Sequence, residues 1–246
     1  MGQTELLEIP IEETNNYLER LSAQDRMCWA IEKFHNEFAL TTSFGIQSAV
    51  LLHMIHVLDK QKDTKIIWID TGYLPAETYK YAEQLSNQLK LEIKIAQSEV
   101  SPARMEALYG KLWENNSIKD LEQYNLIRKV QPLEKSFNDL AINCWASGVR
   151  KSQTNHRKSM QFIEPFKKRL AFRPILDWTK KDIFYYMKEH KLPQHPLFEK
   201  GYSTVGDWHS SAPESIEKTG RDTRFGGLKQ ECGIHLPTNN EGGKYN

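Results

Sequence analysis

One thiol in the sequence has the surroundings of a nucleophile. Cys232 lies in the segment E-C-G-I-H (231–235), with Arg221 and Arg224 a few residues before it. Positive charge near an accessible thiol favours the thiolate, which is the reactive form. The pattern predicts a nucleophilic Cys232 whose reactivity His235 could tune. The alternative is an incidental surface thiol beside an incidental histidine.

The other two cysteines limit the kinds of site that the chain can build. Cys28 falls in a predicted helix and Cys144 in a predicted strand, where cysteines are usually buried. Three scattered cysteines without a C-x-x-C pair exclude a cysteine zinc cage and a four-thiolate iron–sulfur cluster. Free thiols also fit a reducing compartment, so a cytoplasmic location is expected.

A small-residue turn follows the first predicted strand. The run T-T-S-F-G-I-Q-S (41–48) leaves that strand and opens a helix, where backbone N–H groups and the helix dipole favour an anion. It lacks the lysine and the spacing of a Walker A loop. Ser43 and Gly45 are therefore candidate anion-binding residues. The alternative is a tight turn with a serine N-cap.

A carboxylate and a glycine follow the second predicted strand. Asp70 and Gly72 could contact a nucleoside, or Asp70 could form an Asx-turn that caps the next helix. From this stretch alone, the Asx-turn is the favoured interpretation.

A basic stretch follows the fourth predicted strand. Residues 148–169 contain seven Lys or Arg and one Glu. Guanidinium groups bind phosphates in a bidentate manner, and clustered cations raise the local potential. Arg150 and Arg157, with Gln153 between them, are candidate ligands for phosphate or sulfate. The alternative is a solvated charged face.

Strands alternate with helices of ten or more residues along the chain. This alternation predicts an α/β fold: an open, mostly parallel twisted sheet with helices on both faces. Ligands of such sheets bind at the carboxyl ends of the strands. The predicted strands are 38–43, 65–70, 91–97, 142–147 and 169–175, the last as a possible edge strand. The predicted helices are one or two within 12–35, then 48–58, 76–89 and 179–190, where Thr179 and Asp182 form a capping box.

Three regions are expected along the 246 residues. They are an N-terminal helical segment (1–36), a nucleotide-binding α/β domain (37–202) and a mobile C-terminal tail (203–246) that carries Cys232. The formal net charge of +1 argues against a general nucleic-acid binder, and neither an apolar run of membrane-spanning length nor a signal peptide is present.

Several of these runs together resemble the thioredoxin-dependent 3′-phosphoadenylyl sulfate (PAPS) reductases. The resemblance covers roughly residues 25–236 and is carried by TTSFGIQS, WIDTGYLPAETY, YGKLWE, GVRKSQTNHR, GYSTVGDWHS and KQECGIH. It implies an adenine-nucleotide α-hydrolase-like fold in which residues 43–48 form a modified PP-loop. ATP-pyrophosphatase relatives read nearer S-G-G-x-D-S there, whereas this sequence has Phe44 and Gln47 in place of the Gly and the Asp.

A related branch, the adenylyl sulfate (APS) reductases, binds a 4Fe–4S cluster through four cysteines. Those ligands form a Cys-Cys pair and a C-x-x-C. The corresponding positions here are Tyr124, Asn125, Asp207 and Ser210. The sequence therefore excludes the cluster, and the resemblance implies PAPS as substrate with no bound metal or cofactor.

The resemblance also implies a covalent mechanism. Cys232 attacks PAPS to give an S-sulfocysteine, which reduced thioredoxin (or glutaredoxin) resolves to release sulfite in assimilatory sulfate reduction and cysteine biosynthesis. Substrate binding falls to Ser43, Gly45, Asp70, Gly72, Arg150, Gln153, Arg157, Arg221 and Arg224. A homodimer is also implied. Three alternatives stay open: a cluster-free reductase that also accepts APS, a PP-loop ATP-using ligase or pyrophosphatase, and a non-catalytic nucleotide sensor.

Overall fold

The computed structural model describes residues 9–228, 231 and 233–235. Two helices come first, α1 (Ile11–Glu19) and α2 (Ala23–Phe34). The Ser22 hydroxyl caps α2 by accepting a hydrogen bond from the backbone N–H of Asp25 at 3.1 Å. Leu18 and Met27 are fully buried in the main core, as their helical spacing predicts.

A six-stranded sheet forms the centre of the molecule. Its order is β3-β2-β1-β4-β6-β5, and every neighbouring pair is parallel except β5 with β6. The strands are β1 (Phe38–Thr42), β2 (Lys65–Ile69), β3 (Ile93–Ala96), β4 (Cys144–Ala146), β5 (Ile163–Phe166) and β6 (Arg169–Phe172). The predicted α/β class with a mostly parallel sheet is confirmed.

Helices cover both faces of this sheet. Side chains alternate along β1, so that Phe38 and Leu40 enter the larger core while Ala39 enters the smaller one with Trp145. The remaining helices are α3 (Ala49–Leu58), α4 (Ala76–Leu89), α5 (Pro102–Tyr109), α6 (Ile118–Asn125), α7 (Gln131–Asp139) and α8 (Lys180–Glu189). The predicted Thr179–Asp182 capping box at α8 is present.

Two expectations about the elements need correction. The strand at 169–175 is not at the edge of the sheet, because β6 pairs with β4 on one side and with β5 on the other. The edge strand β5 escaped prediction because Glu164 and Pro165 interrupt its apolar pattern, and an edge strand tolerates proline. The helical run from 118 to 139 was also missed, and its middle, Leu126–Val130, is a π-helical turn.

The described part of the predicted tail packs against the rest of the protein. Residues Gly220–Gly227 form a kinked 3₁₀ segment in which Thr223, Arg224 and Phe225 are buried. Its mobility stays a prediction, as do the boundaries of the three regions. Within the described residues, no helix has both the length and the apolar character that a membrane crossing requires.

Candidate functional site

A cavity of about 930 Å³ opens at the carboxyl ends of β1, β2 and β4. Parallel α/β sheets bind ligands at this edge, and the volume lies in the range of small-molecule sites. The cavity brings together eight of the candidate residues from four separate stretches of sequence. They are Ser43, Gly45, Arg150, Gln153, Arg157, Arg221, Arg224 and His235.

The turn at 43–48 forms one wall of the cavity. Phe44 adopts a left-handed backbone conformation (φ +48°) that glycine adopts without strain, and its fully buried ring packs against Trp68 at 5.0 Å between centroids. This packing holds the turn in its shape. Ser43 is exposed to the cavity, and α3 begins beyond Ser48 without a side-chain cap. The turn therefore presents a helix N-terminus to the cavity, as predicted for an anion site.

Arg150 lies in the wall with part of its guanidinium unsatisfied. The residue is 3% exposed, and one terminal nitrogen, Nη2, donates to the side-chain oxygen of Gln47. Its Nε and Nη1 are buried and have no hydrogen-bond partner among the residues that the structure describes. Burial, followed by the charge of Arg157, lowers the pKa of Arg150 to about 10. A buried cation with free donors is costly unless an anion satisfies it, so Arg150 is suited to hold one.

Arg157 is fully engaged by the tail and by its own loop. Its Nε and Nη2 donate to the two carboxylate oxygens of Glu231 at 2.8 and 2.6 Å, and Nη1 donates to the side-chain oxygen of Gln153. The same Gln153 oxygen accepts a hydrogen bond from the backbone N–H of Arg150 at 2.9 Å. Gln153 therefore links the two arginines, and both raise the positive potential of the cavity.

Asp70 and Gly72 belong to a hydrogen-bonded turn beside the cavity. The Asp70 carboxylate accepts hydrogen bonds from the backbone N–H of Gly72 at 2.8 Å, from the Tyr79 hydroxyl at 2.7 Å and from the Gln97 amide at 2.6 Å. Gly72 has φ +75°, and a Cβ there would come within 2.7 Å of Pro102. Neither residue is among the described residues that line the cavity, so both shape the turn, as in the Asx-turn interpretation.

The tail closes one side of the cavity through two arginines. Arg224 is 4% exposed, and its Nη1 donates to the hydroxyl of Ser211 at 2.8 Å. Arg221 lies 3.9 Å from the Glu231 carboxylate. The two residues line the cavity from the segment that precedes position 232, so this part of the tail and the basic stretch border the same cavity.

A buried ion pair that the sequence did not single out lies beside this wall. Lys129 Nζ contacts Asp207 at 2.6 Å, with their side chains 7% and 1% exposed. Burial alone would raise the pKa of Asp207, but Lys129 and Arg224, with a hydrogen bond from Thr71, hold that pKa well below its usual range. The π-helical turn that carries Lys129 is a type of irregularity often found at functional sites.

His235 packs flat against the sheet. Its ring stacks on Trp145 at 5.3 Å and 19°, and its Nδ1 is buried without a hydrogen-bond partner among the described residues. Burial, together with the charges of Arg157 and Arg173, lowers the pKa of His235 well below its usual value. The imidazole is therefore neutral near pH 7 and supplies no positive charge to a thiolate. Cys232, predicted as the nucleophile, lies outside the described residues.

The four positions that bind the cluster in APS reductases carry other donors here. Tyr124 is fully buried, and its hydroxyl lies 3.0 Å from Nε2 of His209. Asn125 is 2% exposed, its amide has no hydrogen-bond partner among the described residues, and Asp207 is paired with Lys129. A phenol, an amide, a carboxylate and the Ser210 hydroxyl do not fit an iron–sulfur cluster, which thiolates hold. No cluster of metal-binding side chains is found among the described residues.

Two comparisons of sequence bear on the family. Residues 37–213 match the phosphoadenosine phosphosulfate reductase domain. The phosphoadenosine 5′-phosphosulfate reductase of a Synechococcus strain is 51% identical over 225 residues, which cover 91% of this chain and 96% of the relative. The enzyme of the same name from Vibrio parahaemolyticus is 43% identical, with 92% and 86% covered.

Two solved structures are similar to this chain in fold. A phosphoadenylyl-sulfate reductase from Candida auris, in a phosphate complex, matches with a TM-score of 0.71 and 28% identity over 82% of this chain and 96% of that one. An FMN adenylyltransferase from Candida glabrata matches with a TM-score of 0.58 at 12% identity, covering 89% and 76%, and so shares the fold. The domain match and the two close relatives show that this chain belongs to the phosphoadenosine phosphosulfate reductase family.

Proposed function

We propose that the chain reduces PAPS to sulfite and adenosine 3′,5′-bisphosphate, as a step of assimilatory sulfate reduction toward cysteine, with reduced thioredoxin as the electron donor. The observation that carries this proposal is the buried guanidinium of Arg150 in the wall of the cavity, two of whose nitrogens lack a hydrogen-bond partner within the described part of the chain. A phosphate or sulfate oxygen satisfies such donors and neutralises the buried charge. The family membership then identifies the nucleotide to test.

The proposed reaction has two steps. The Cys232 thiolate attacks the sulfur of PAPS, forming an S–S bond and breaking the S–O bond to phosphate, so that adenosine 3′,5′-bisphosphate leaves with the electron pair. One thioredoxin thiolate then attacks Cys232 Sγ and expels sulfite. The second thioredoxin thiol resolves the mixed disulfide, which regenerates the Cys232 thiol and leaves thioredoxin oxidised. The dithiol thus supplies the two electrons that reduce the sulfonate to sulfite.

Cys232 is the proposed nucleophile in part because the other two cysteines are poor ones. Burial raises the pKa of Cys144 well above its usual value, and burial with Glu32 and Asp25 raises the pKa of Cys28. Neither thiol favours the reactive thiolate near pH 7. The cavity residues nearest in sequence to Cys232 are Ile234 and His235, which supports delivery of the thiol to this cavity.

The cavity wall supplies positioning and charge. Ser43 and the N–H groups after it are proposed to hold the phosphosulfate at the start of α3, with Arg150 on the same anion and Gln47 orienting Arg150. Phosphate is already a good leaving group, so neutralisation of its charge is the main requirement. Arg157, Arg221 and Arg224 add positive potential and hold the tail.

His235 is proposed to act as a neutral group. Its unpartnered Nδ1 could exchange a hydrogen bond with the thiol or with the departing nucleotide. Its lowered pKa supports this neutral role over one in which an imidazolium stabilises the thiolate. Cytoplasmic location and assembly as a homodimer are retained as proposals from the family resemblance.

The proposal is tested by sulfite release with reduced thioredoxin, comparing PAPS, APS and ATP with Mg²⁺ as substrates. Sulfite formed from PAPS at a much higher rate than from APS is the expected result. Comparable rates would favour a cluster-free reductase of both nucleotides. Cleavage of ATP without sulfite release would favour the ligase or pyrophosphatase alternative, and tight nucleotide binding without turnover would favour a sensor.

A further inference from the structure

Glu231 makes the most extensive polar contacts of any described residue of the segment 231–235. One carboxylate oxygen accepts hydrogen bonds from Arg157 Nε at 2.8 Å and from the Thr154 hydroxyl at 2.9 Å, and the other accepts from Arg157 Nη2 at 2.6 Å. Glu231 is 7% exposed, and Arg221 lies 3.9 Å away. A bidentate, charge-assisted pair of this kind fixes orientation as well as distance.

The partners of Glu231 belong to the rigid part of the fold. Arg157 lies in the second of the two short 3₁₀ turns that follow β4, Thr154 lies between the two turns, and both residues are buried. The backbone N–H of Arg157 donates to the Thr154 hydroxyl at 3.3 Å, and its Nη1 donates to Gln153. Beyond its two bonds to Glu231, Arg157 therefore donates through its backbone N–H and its Nη1 to neighbouring residues, so the anchor that receives Glu231 is itself held in place.

The chain is also held on the far side of position 232. Gly233 has φ +82°, and a Cβ there would come within 3.6 Å of Asn125. Ile234 packs against the smaller core, and the His235 ring stacks on Trp145. The described residues on both sides of position 232 are thus each in contact with the body of the protein.

We propose that Glu231 is a positioning residue that presents Cys232 to the substrate, and that Arg157 acts mainly by holding Glu231 rather than by binding the nucleotide. This inference rests on the proposed function, because it takes Cys232 as the nucleophile. It predicts that loss of the Glu231 carboxylate slows the attack on PAPS while the nucleotide binds as before. A misplaced nucleophile costs rate steeply even when every reacting group is present.

The test compares Glu231→Ala and Glu231→Gln with the wild type in a single-turnover reaction with PAPS and no thioredoxin. The rate of sulfonate addition at Cys232 is followed by peptide mass spectrometry, and adenosine 3′,5′-bisphosphate affinity is measured by calorimetry. Glu231→Ala should slow addition at least tenfold, and Glu231→Gln, which keeps an oxygen for Thr154, should slow it less. Affinity should stay within threefold. Glu217→Gln, an exposed glutamate of the same tail, is the matched control and should match the wild type.

A second readout separates positioning from a general loss of structure. Once Cys232 is sulfonated, reduced thioredoxin should release sulfite from Glu231→Ala at the wild-type rate, because that step does not need the thiol placed against PAPS. Wild-type addition rates in both variants would overturn the inference. A fivefold tighter nucleotide affinity with an unchanged addition rate would also overturn it, because Glu231 would then compete with substrate for Arg157. Absence of any adduct in the wild type would instead refute the proposed function.

Discussion

The guanidinium of Arg224 lies directly across Gly206, in space that a side chain at position 206 would occupy. Ser211 ties the two together: its hydroxyl oxygen accepts a hydrogen bond from the Gly206 backbone N–H at 2.9 Å and another from Arg224 at 2.8 Å. The loop 203–211 and the 3₁₀ segment Gly220–Gly227 are thereby joined beside the cavity. Glycine at position 206 is thus a requirement for the docked tail.

Substitution of Gly206 by alanine should displace Arg224. The new Cβ would overlap the guanidinium, so either Arg224 leaves its place or the loop shifts. We expect the unfolding free energy to fall by about 1–3 kcal/mol, as for other overpacked sites, and single-turnover sulfonation of Cys232 to slow about tenfold. Ser211→Ala removes one hydrogen bond without a clash and should have the smaller effect. Equal effects of the two changes would argue against the steric account.

Removal of the Arg150 charge should weaken nucleotide binding without destabilising the fold. Arg150→Met keeps much of the volume but deletes a buried cation with two unpartnered nitrogens. Calorimetry should show adenosine 3′,5′-bisphosphate affinity reduced at least tenfold, since hydrogen bonds to charged groups contribute about 1.5–3 kcal/mol. Thermal stability should be unchanged or higher, because the buried charge is costly in the empty site. Lys158→Met, at an exposed position of the same basic stretch, is the control, and equal affinity losses would contradict the assignment.

Substitutions of Lys129 and Asp207 should have strongly coupled effects on the free energy of unfolding. Asp207→Asn leaves the Lys129 ammonium buried without its counter-charge, which typically costs about 3–5 kcal/mol. Lys129→Met added to Asp207→Asn should recover most of that loss, because the buried ammonium that lacks its counter-charge is then removed as well. Urea unfolding of the two single variants and the double variant measures the coupling. Additive losses in this double-mutant cycle would show that the pair is not an energetic unit.

The stability of the fold should decline in mild acid in part through His195. Its Nδ1 accepts from the backbone N–H of Leu197 at 3.1 Å, so Nε2 donates to the Thr78 hydroxyl at 3.0 Å, and burial lowers the pKa of His195 to about 4. Below about pH 6.5 His195 is protonated in the unfolded chain, whereas in the folded chain it stays neutral down to about pH 4. Its contribution to the free energy of unfolding is therefore complete above this window and falls as the pH decreases through it.

The measurement is urea unfolding between pH 7.5 and pH 5. At pH 5 the contribution of His195 should amount to a loss of about 2 kcal/mol relative to neutral pH, a loss that His195→Gln should not show. His156→Gln, at an exposed position, should keep the wild-type pH dependence. A His195→Gln profile parallel to that of the wild type would refute the assignment.

The elements that could be predicted from the sequence are those in which the hydrophobic pattern of a strand or of a helix is clear. The apolar strands β1 and β2 and the capped helix α8 follow directly from hydrophobic runs and from the Thr179–Asp182 pair. The strand β5 was missed because tertiary pairing with β6 overrides its weak local preference. The π-helical turn Leu126–Val130 has no sequence signature of its own.

The candidate site was predictable where charge clusters follow strand ends. Arg150 and Arg157 met this condition, and both line the cavity. The Asx-turn at Asp70 was the interpretation that the stretch alone favoured, and the hydrogen bond from the backbone N–H of Gly72 to the Asp70 carboxylate agrees with it. Two ion pairs could not be predicted from the sequence, namely Arg157 with Glu231 and Lys129 with Asp207. Each of them joins residues about 75 positions apart in the chain, and no local pattern indicates such a contact.

The central claim is that Cys232 carries the sulfonate between PAPS and thioredoxin. The most direct measurement is peptide mass spectrometry of the protein incubated with PAPS in the absence of thioredoxin. A single sulfonate adduct on Cys232 is expected, formed with one equivalent of adenosine 3′,5′-bisphosphate and lost as sulfite when reduced thioredoxin is added. An adduct on Cys28 or Cys144, or nucleotide release without any adduct, would contradict it.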